Sequence, residues 1–227
     1  MAHEVHLDAM KKEEVRARIC EIGIIPAIRV PSAEEALFAS NAVMRGGIGV
    51  IELTMTIPGA LQVIAELSKT ADGLLVGAGT VLDLETARCC VGAGAAFLTG
   101  PGLDLEILEF AERENVLVIP GALTPTEVAV ASGAGAQLVK IFPCAPLGGA
   151  GYIRALKAPF PHVAMIASGG VNQQTASDFI RAGAVALGIG EHLVPAEAAR
   201  LRNEKWIREL SGRFLNLVKE ARAIGKQ

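Results

Sequence analysis

Three charged residues occur in or beside otherwise apolar segments of this sequence: Arg29, Glu52 and Lys140. Because an unpaired buried charge is costly, charges in such places are expected to pair or to react. A lysine amine shielded from water is partly neutral and can attack a ketone to form a Schiff base. A nearby carboxylate such as Glu52 can then carry protons to and from the substrate. The alternative interpretation is a structural Lys140–Glu52 ion pair, or a Lys140 that points outward between helices.

Two glycine clusters form a second candidate for chemistry: Gly169-Gly170 and the Gly-Ile-Gly at 188–190. Exposed backbone N–H groups at such turns, beside the start of a helix, bind phosphate in many barrel enzymes. The alternative is that these are ordinary turn glycines. The Gly-Ala-Gly-Thr at 77–80 is not a P-loop, because no Gly-Lys-Ser/Thr follows it.

The histidines do not form a metal-binding pattern. His3 and His6 lie close to the N-terminus, His162 precedes a later apolar segment, and His192 has no partner near it in the sequence. A catalytic metal site needs several such ligands together. We therefore expect no metal ion and no other cofactor.

The candidate residues are spaced by a repeating unit. Eight short apolar segments begin a little over twenty residues apart, and segments with helical periodicity separate them. Strands that are apolar throughout are typical of a parallel sheet covered on both faces. Ser32 with Glu35, and the Thr-Pro-Thr-Glu at 124–127, predict helix starts. The apolar segments cover residues 24–28, 48–53, 74–76, 96–98, 116–119, 138–142, 163–166 and 185–189.

This repeat predicts one α/β domain over residues 1–227, folded as a (β/α)8 TIM barrel. An extra helix at 11–22 and a long last helix, apolar at helical spacing from Trp206 to Ala221, would cover the barrel's bottom and side. The alternative is an open doubly wound sheet, but no GxGxxG turn follows the first strand. In a barrel the C-terminal ends of the strands share one face, so Arg29, Glu52 and Lys140 should meet there.

Composition limits the class of partner. The 227 residues are 51% hydrophobic, and 21 basic against 24 acidic residues give a net charge of −3. This balance provides no basic surface for nucleic acid or a membrane, so a small molecule is the expected partner. The four cysteines lack CxxC spacing, and no apolar segment is long enough for a signal peptide or a membrane span. We expect a cytoplasmic protein with reduced thiols.

Several linked motifs make the indication more specific. In order, between about residues 13 and 194, the sequence contains Gly-Val-Ile-Glu-Leu-Thr (49–54), Gly-Ala-Gly-Thr-Val-Leu (77–82), Pro-Gly (101–102 and 120–121), Thr-Pro-Thr-Glu (124–127), Lys-Ile-Phe-Pro (140–143), Gly-Gly (148–149), Pro-Phe-Pro (159–161) and Ser-Gly-Gly-Val (168–171). With this set of motifs the sequence resembles the 2-keto-3-deoxy-6-phosphogluconate (KDPG) aldolases, which often also cleave 4-hydroxy-2-oxoglutarate (KHG).

The resemblance implies a class I aldolase, commonly a homotrimer, that cleaves a 2-keto acid to pyruvate and an aldehyde: glyceraldehyde 3-phosphate, glyceraldehyde or glyoxylate. By the same resemblance Lys140 forms the Schiff base and Glu52 is the general acid and base, acting through water. Thr80 would hold the pyruvate carboxylate, and Pro101 and Phe142 would form apolar walls. The other lysines fall in helical or terminal segments, where we expect a solvated ammonium that stays protonated.

Three positions depart from the family's usual pattern. Thr56 stands where many members have an arginine, and it can offer the substrate carboxylate only a hydroxyl group. Arg29 is expected to supply the missing cation to that carboxylate. The seventh strand is followed by Ser168-Gly169-Gly170, where a Thr-Gly-Gly is usual, and this change keeps a hydroxyl group. Glu191, directly after Gly190, replaces a small residue that helps to bind phosphate. Its carboxylate would repel a phosphate dianion if it faced the site, and the alternative is that it points to solvent, so the sequence leaves open whether the substrate tail is phosphorylated.

Two other functions stay open at this point. A phosphosugar isomerase or epimerase could use the same fold, because a fold does not fix a function. Such an enzyme would need no lysine that borohydride traps. A non-catalytic barrel that builds an oligomer would tolerate the loss of Lys140 or Glu52, yet both residues are present.

Overall fold

The computed structural model describes residues 11–70 and 73–224. His3 and His6 lie outside the described residues, as does Lys226, one of the lysines predicted to be solvated. In the described part of the chain, helices and parallel strands alternate.

The strands form one parallel sheet in the order β5-β4-β3-β2-β1-β9-β8-β7-β6. Because β5 and β6 stand at the two ends of this order and are joined only by Pro120, the chain itself closes the sheet into a barrel. The strands are β1 (Ile24–Ile28), β2 (Val50–Thr54), β3 (Leu75–Gly79), β4 (Phe97–Thr99), β5 (Leu117–Ile119), β6 (Gly121–Ala122), β7 (Val139–Ile141), β8 (Met165–Ser168) and β9 (Ala184–Ile189).

The predicted (β/α)8 barrel is confirmed, with one difference in the fifth strand. Pro120 divides that strand into β5 and β6, because proline has no N–H to donate to the ladder. Its carbonyl still accepts from Lys140 N at 2.9 Å, and Gly121 N donates to Gly102 O at 3.0 Å. The break therefore redirects the backbone at the site face without opening the barrel.

The helices surround the sheet as the sequence analysis predicted. Both predicted helix starts are confirmed: the Ser32 side chain accepts from Glu35 N, and Thr124 and Glu127 form a capping box. The helices are α1 (Lys12–Ile22), α2 (Ala33–Arg45), α3 (Ala60–Thr70), α4 (Leu84–Gly92), α5 (Leu105–Arg113), α6 (Pro125–Gly133), α7 (Ala150–Lys157), α8 (Ala176–Arg181), α9 (Ala196–Arg200) and α10 (Glu204–Ile224), with a 3₁₀ turn at Ala145–Leu147.

The extra first helix and the long last helix are both present. Val15 and Ile19 of α1 pack into an apolar cluster with inward-facing strand residues such as Phe97 and Ile166, which closes one end of the barrel. Phe214 of α10 belongs to the larger apolar layer between helices and sheet. With one end filled by side chains, the opposite end is left for a site. None of the described helices has the length and apolar character needed to cross a membrane.

Candidate active site

A cavity of about 520 Å³ opens at the C-terminal ends of the strands. It brings together all but one of the residues predicted from the sequence to form the site. These are Arg29, Glu52, Thr80, Pro101, Lys140, Phe142, Ser168, Gly169, Gly170, Gly190 and Glu191. Thr56 is the exception, since it is exposed and lies outside the lining, with its hydroxyl 2.8 Å from that of Thr54.

Lys140 and Glu52 face each other in this cavity. Lys140 lies in the centre of β7 and Glu52 in the centre of β2, and Nζ lies 3.9 Å from Oε2. The side chains are only 12% and 4% exposed. Two opposite charges this close together and this deeply buried compensate part of each other's desolvation cost. The pair is therefore a structural contact, and it also supplies an amine and a carboxylate that can take part in a reaction.

Gly79 makes the position of the carboxylate possible. Glu52 is paired with Gly77 of β3 in the sheet, and its side chain extends over the end of that strand. A Cβ atom added to Gly79 would lie 2.1 Å from Oε1 of Glu52, which is far inside van der Waals contact. The glycine in the Gly-Ala-Gly-Thr motif thus provides space for the carboxylate.

Thr99 is a site residue that the sequence analysis did not identify. It ends β4, is 1% exposed, and its Oγ1 donates to Oε2 of Glu52 at 2.8 Å. A hydrogen bond to an ionised acceptor is shorter and stronger than a neutral one. The predicted fourth strand ended at residue 98, so the threonine was counted as loop. A polar residue at the end of a buried strand was the signal that could have identified it.

Phe142 and Thr80 border the space above the reactive pair. The ring centroid of Phe142 lies 5.5 Å from Nζ of Lys140, close enough for a cation–π contact with the protonated amine. Thr80 follows β3 with φ of 59°, a left-handed conformation that a β-branched residue rarely adopts. Strain of this kind is concentrated at functional sites, where the rest of the fold holds the residue in place.

The mouth of the cavity carries one basic and one acidic side chain, Arg29 and Glu191. Arg29 follows β1 and Glu191 follows the end of β9, and these two strands are adjacent. Both side chains are exposed, and neither forms an ion pair within the described residues. His192 lies beside them in the lining, a position that the sequence analysis left without a role.

The loop after β8 approaches the neighbouring backbone closely. Gly169 and Gly170 both have φ of 85°, and a Cβ at Gly169 would lie 2.8 Å from Cα of Pro143. Only glycine fits both the conformation and the space. Beneath the loop, burial raises the pKa of the Cys144 thiol to about 11, so Cys144 stays protonated and does not compete as a nucleophile.

The expectation of a solvated ammonium is wrong for two of the other lysines: Lys12, whose side chain is 15% exposed beside Glu112, and Lys157. Lys157 lies in a helix as predicted, but its amine is not fully solvated: Nζ donates to the carbonyls of Pro161 at 2.8 Å and Val163 at 2.9 Å. Desolvation by burial lowers the pKa of Lys157. Its amine is nonetheless held by two backbone acceptors and is not part of the cavity lining.

Comparison with known sequences indicates one protein family. A family model for KDPG and KHG aldolases matches residues 15–210. The chain is 32% identical over 160 residues to a 2-dehydro-3-deoxy-phosphogluconate aldolase of Pseudomonas aeruginosa, covering 70% of this chain and 73% of that protein. It is 31% identical over 175 residues to the KHG/KDPG aldolase of Escherichia coli (strain K12), covering 77% of this chain and 82% of that protein.

A solved structure agrees in fold and in family. The KDPG aldolase of Legionella pneumophila, crystallised with pyruvate captured at low pH as a covalent carbinolamine intermediate, superimposes with a TM-score of 0.81 at 31% identity. The match covers 86% of this chain and 95% of that one. With the family model spanning most of the barrel, the chain belongs to the KDPG and KHG aldolase family and is a class I aldolase, a lyase.

Proposed function

We propose that Lys140 is the Schiff-base lysine of this aldolase, which cleaves 2-keto-3-deoxygluconate, its 6-phosphate or 4-hydroxy-2-oxoglutarate to pyruvate and an aldehyde. One observation carries the proposal: the Lys140 amine lies 3.9 Å from the Glu52 carboxylate, and both side chains are largely buried at the C-terminal face of the barrel. An amine kept from solvent and placed beside a proton acceptor is what imine formation requires.

The reaction then follows in balanced steps. The neutral Lys140 amine attacks the C2 ketone, and loss of water leaves a protonated imine. Glu52, acting through a water molecule, takes the proton of the C4 hydroxyl group, and the C3–C4 electrons move into the imine as the aldehyde leaves. Glu52 returns a proton to C3 of the enamine. Hydrolysis of the resulting imine releases pyruvate and the free amine.

The substrate's carboxylate is assigned to the part of the cavity that Arg29 and Thr80 line, and the reacting carbons are assigned to the space beside Lys140. Arg29 offers a cation and Thr80 a hydroxyl group to the carboxylate, since a charge-assisted contact is the strongest way to hold it. Pro101 and Phe142 are assigned as the apolar walls beside the reacting carbons. Thr56, which stands where the family usually has an arginine, stays a predicted binding residue. Because it lies outside the cavity lining, we assign the contact with the carboxylate to Arg29.

The substrate tail is assigned to the glycine-rich side of the cavity. Ser168, Gly169, Gly170 and Gly190 line this side and offer a hydroxyl group and backbone N–H groups. Glu191 lies on the same side and adds a negative charge. A polyol tail is compatible with that carboxylate, whereas a phosphate dianion is repelled by it. We therefore propose that the unphosphorylated 2-keto-3-deoxy acid is a good substrate.

Borohydride trapping tests the assignment of Lys140. Incubation with pyruvate and borohydride should add one reduced pyruvate per chain by intact mass, and peptide mapping should place it on Lys140. Lys140→Arg should abolish the adduct. The matched control is Lys157→Arg, which removes a partly buried amine outside the cavity lining and should leave the adduct intact. An adduct on a lysine other than 140, or none on the native protein, contradicts the proposal.

Two further features are proposed for the enzyme in the cell. We propose that each chain is a single domain and that three chains form a homotrimer, as in the family that it resembles. A cytoplasmic location is supported by Cys20, Cys89, Cys90 and Cys144, which are all free thiols in this fold. Light scattering coupled to size exclusion measures the oligomer directly, and a mass other than three times 23.6 kDa overturns the trimer.

A further inference from the structure

The hydroxyl group of Thr99 contacts the carboxylate oxygen that faces the reactive lysine. Oγ1 donates to Oε2 of Glu52 at 2.8 Å, and it is this oxygen that lies 3.9 Å from Nζ of Lys140. Thr99 is 1% and Glu52 3% exposed, so the bond is almost completely buried. In such surroundings a hydrogen bond to an ionised acceptor is strengthened, and its loss is not made good by solvent.

The arrangement crosses a strand. Glu52 lies on β2 and Thr99 on β4, with β3 between them. The carboxylate passes over Gly79 of β3, where an added Cβ would lie 2.1 Å from Oε1. One oxygen is therefore limited by the backbone below it, and the other is fixed by the threonine. Together the two contacts determine which way the carboxylate faces.

We propose that Thr99 is a positioning residue of the aldolase, which holds the Glu52 carboxylate in its proton-transfer orientation beside Lys140. The proposal rests on the function proposed above, in which Glu52 moves protons. A threonine hydroxyl group suits both states of that carboxyl group. It donates to the ionised form, and it can rotate to accept from the protonated form, because a hydroxyl group has one proton and two lone pairs.

A purely structural role would have a different signature. A buried threonine needs an acceptor, and Glu52 could be no more than that acceptor. In that case the removal of the hydroxyl group would lower stability but leave the pH dependence of turnover unchanged. A positioning role acts on the protonation and direction of the carboxylate, so it must change kcat and its pH profile.

Thr99→Val tests the inference, because valine keeps the shape of threonine and replaces the hydroxyl group by a methyl group. We expect kcat to fall by roughly 10- to 100-fold with KM little changed. The acidic limb of the kcat–pH profile should move to higher pH by about one unit, since the ionised carboxylate loses a donor. Thr99→Ser, which keeps the hydroxyl group, should recover most of the activity and the native profile.

The matched control is Thr54→Val, another buried threonine at the end of a strand. Its Oγ1 donates to Ile28 O at 3.1 Å and does not contact Glu52. We expect native kcat and pH profile in this variant. A native profile in Thr99→Val, or an equal loss in Thr99→Ser, overturns the inference. Borohydride trapping on the native protein separates the two failures: an adduct on Lys140 with an unaffected Thr99→Val leaves the proposed function standing, and no adduct removes it.

Discussion

Glu52 is buried at a position where a carboxylate is stable only if neighbouring groups compensate its charge. It is 3% exposed, and burial of an ionised group without partners costs several kcal/mol or more. Lys140 supplies the opposite charge and Thr99 a hydrogen bond. The two contacts that stabilise the buried carboxylate therefore also hold it at the site of the proposed proton transfer.

Glu52→Gln should remove proton transfer while it preserves the fold. The amide keeps the shape of the carboxylate but cannot accept a proton, so exchange of the pyruvate methyl protons with deuterated water should fall by roughly 100-fold or more. NMR of pyruvate in deuterated water measures this rate. The adduct on Lys140 should still form, which serves as the control for an intact site. Unchanged exchange would assign the base to another group.

Arg29→Ala should weaken pyruvate binding much more than Thr56→Ala does. Arg29 lines the cavity, whereas Thr56 is exposed and outside it. Loss of a charge-assisted contact to the carboxylate should raise the Kd for pyruvate roughly 10- to 100-fold. Titration calorimetry on both variants measures the difference. Equal effects would mean that Arg29 faces away from the carboxylate.

Glu191→Ser should change the preference between substrates. If the carboxylate repels a phosphate, the native enzyme cleaves 2-keto-3-deoxygluconate well relative to its 6-phosphate. Removal of the charge should then raise the ratio of kcat/KM for the phosphate over the unphosphorylated acid by roughly tenfold. Both substrates are measured on both proteins. A native enzyme that strongly prefers the phosphate and is indifferent to the substitution leaves Glu191 without a role in specificity.

The strands contribute more than a scaffold, because glycines in β3 leave space inside the barrel. Gly77 leaves room for the Phe97 ring, whose Cζ would lie 2.3 Å from an added Cβ. One step further along, Gly79 leaves room for the Glu52 carboxylate. Two glycines of one strand therefore leave space for two different side chains: Gly77 for a core ring, and Gly79 for the reactive carboxylate.

Gly79→Ala should displace the Glu52 carboxylate. The new methyl group would overlap Oε1 at 2.1 Å, so the side chain must turn away from Thr99 and Lys140. We expect kcat to fall by roughly 100-fold, with a loss of about 1–3 kcal/mol in the free energy of unfolding. Gly92→Ala is the control, because no neighbouring atom lies within 4 Å of its added Cβ. A fully active Gly79→Ala would show that the carboxylate is free to move.

Arg222 connects the two ends of the chain across the bottom of the barrel. From α10 its guanidinium donates to the carbonyls of Glu21 at 2.6 Å, Cys20 at 2.7 Å and Val185 at 2.8 Å. Cys20 and Glu21 lie in the last turn of α1, whose carbonyls have no partner within the helix. A cation at a helix C-terminus also interacts favourably with the helix dipole. This residue thus joins α10, α1 and β9.

Arg222→Ala should destabilise the barrel without changing its chemistry. Three carbonyls would lose a charged donor, and we expect a loss of about 2–4 kcal/mol in the free energy of unfolding. Urea unfolding measures it. Arg213→Ala on the same helix removes an exposed pair with Glu209 at 3.7 Å and should cost about 0.5 kcal/mol or less. Equal losses would show that Arg222 does not join these elements.

Much of the fold and the reactive pair could be predicted from local patterns. Apolar segments and cap residues are properties of consecutive residues, so the strand and helix order was predictable. The meeting of Arg29, Glu52 and Lys140 was predictable as well, since all parallel strands of a barrel end at one face. Boundaries were less accurate: the second strand begins at Val50, two residues after the predicted start, and the fifth is divided at Pro120.

The sequence by itself determined the repeat, the barrel and the residue types at its C-terminal face, because these depend on periodicity along the chain. Only the tertiary structure decided which of those side chains touch. Thr99 and Glu52 are separated by 47 residues, and the Lys157 amine donates to two carbonyls that no pattern indicates. The same holds for Thr56, whose position outside the cavity lining no pattern in the sequence indicates. The direction of a side chain depends on the residues that pack against it in three dimensions. Periodicity specifies only on which face of a helix or strand the residue lies.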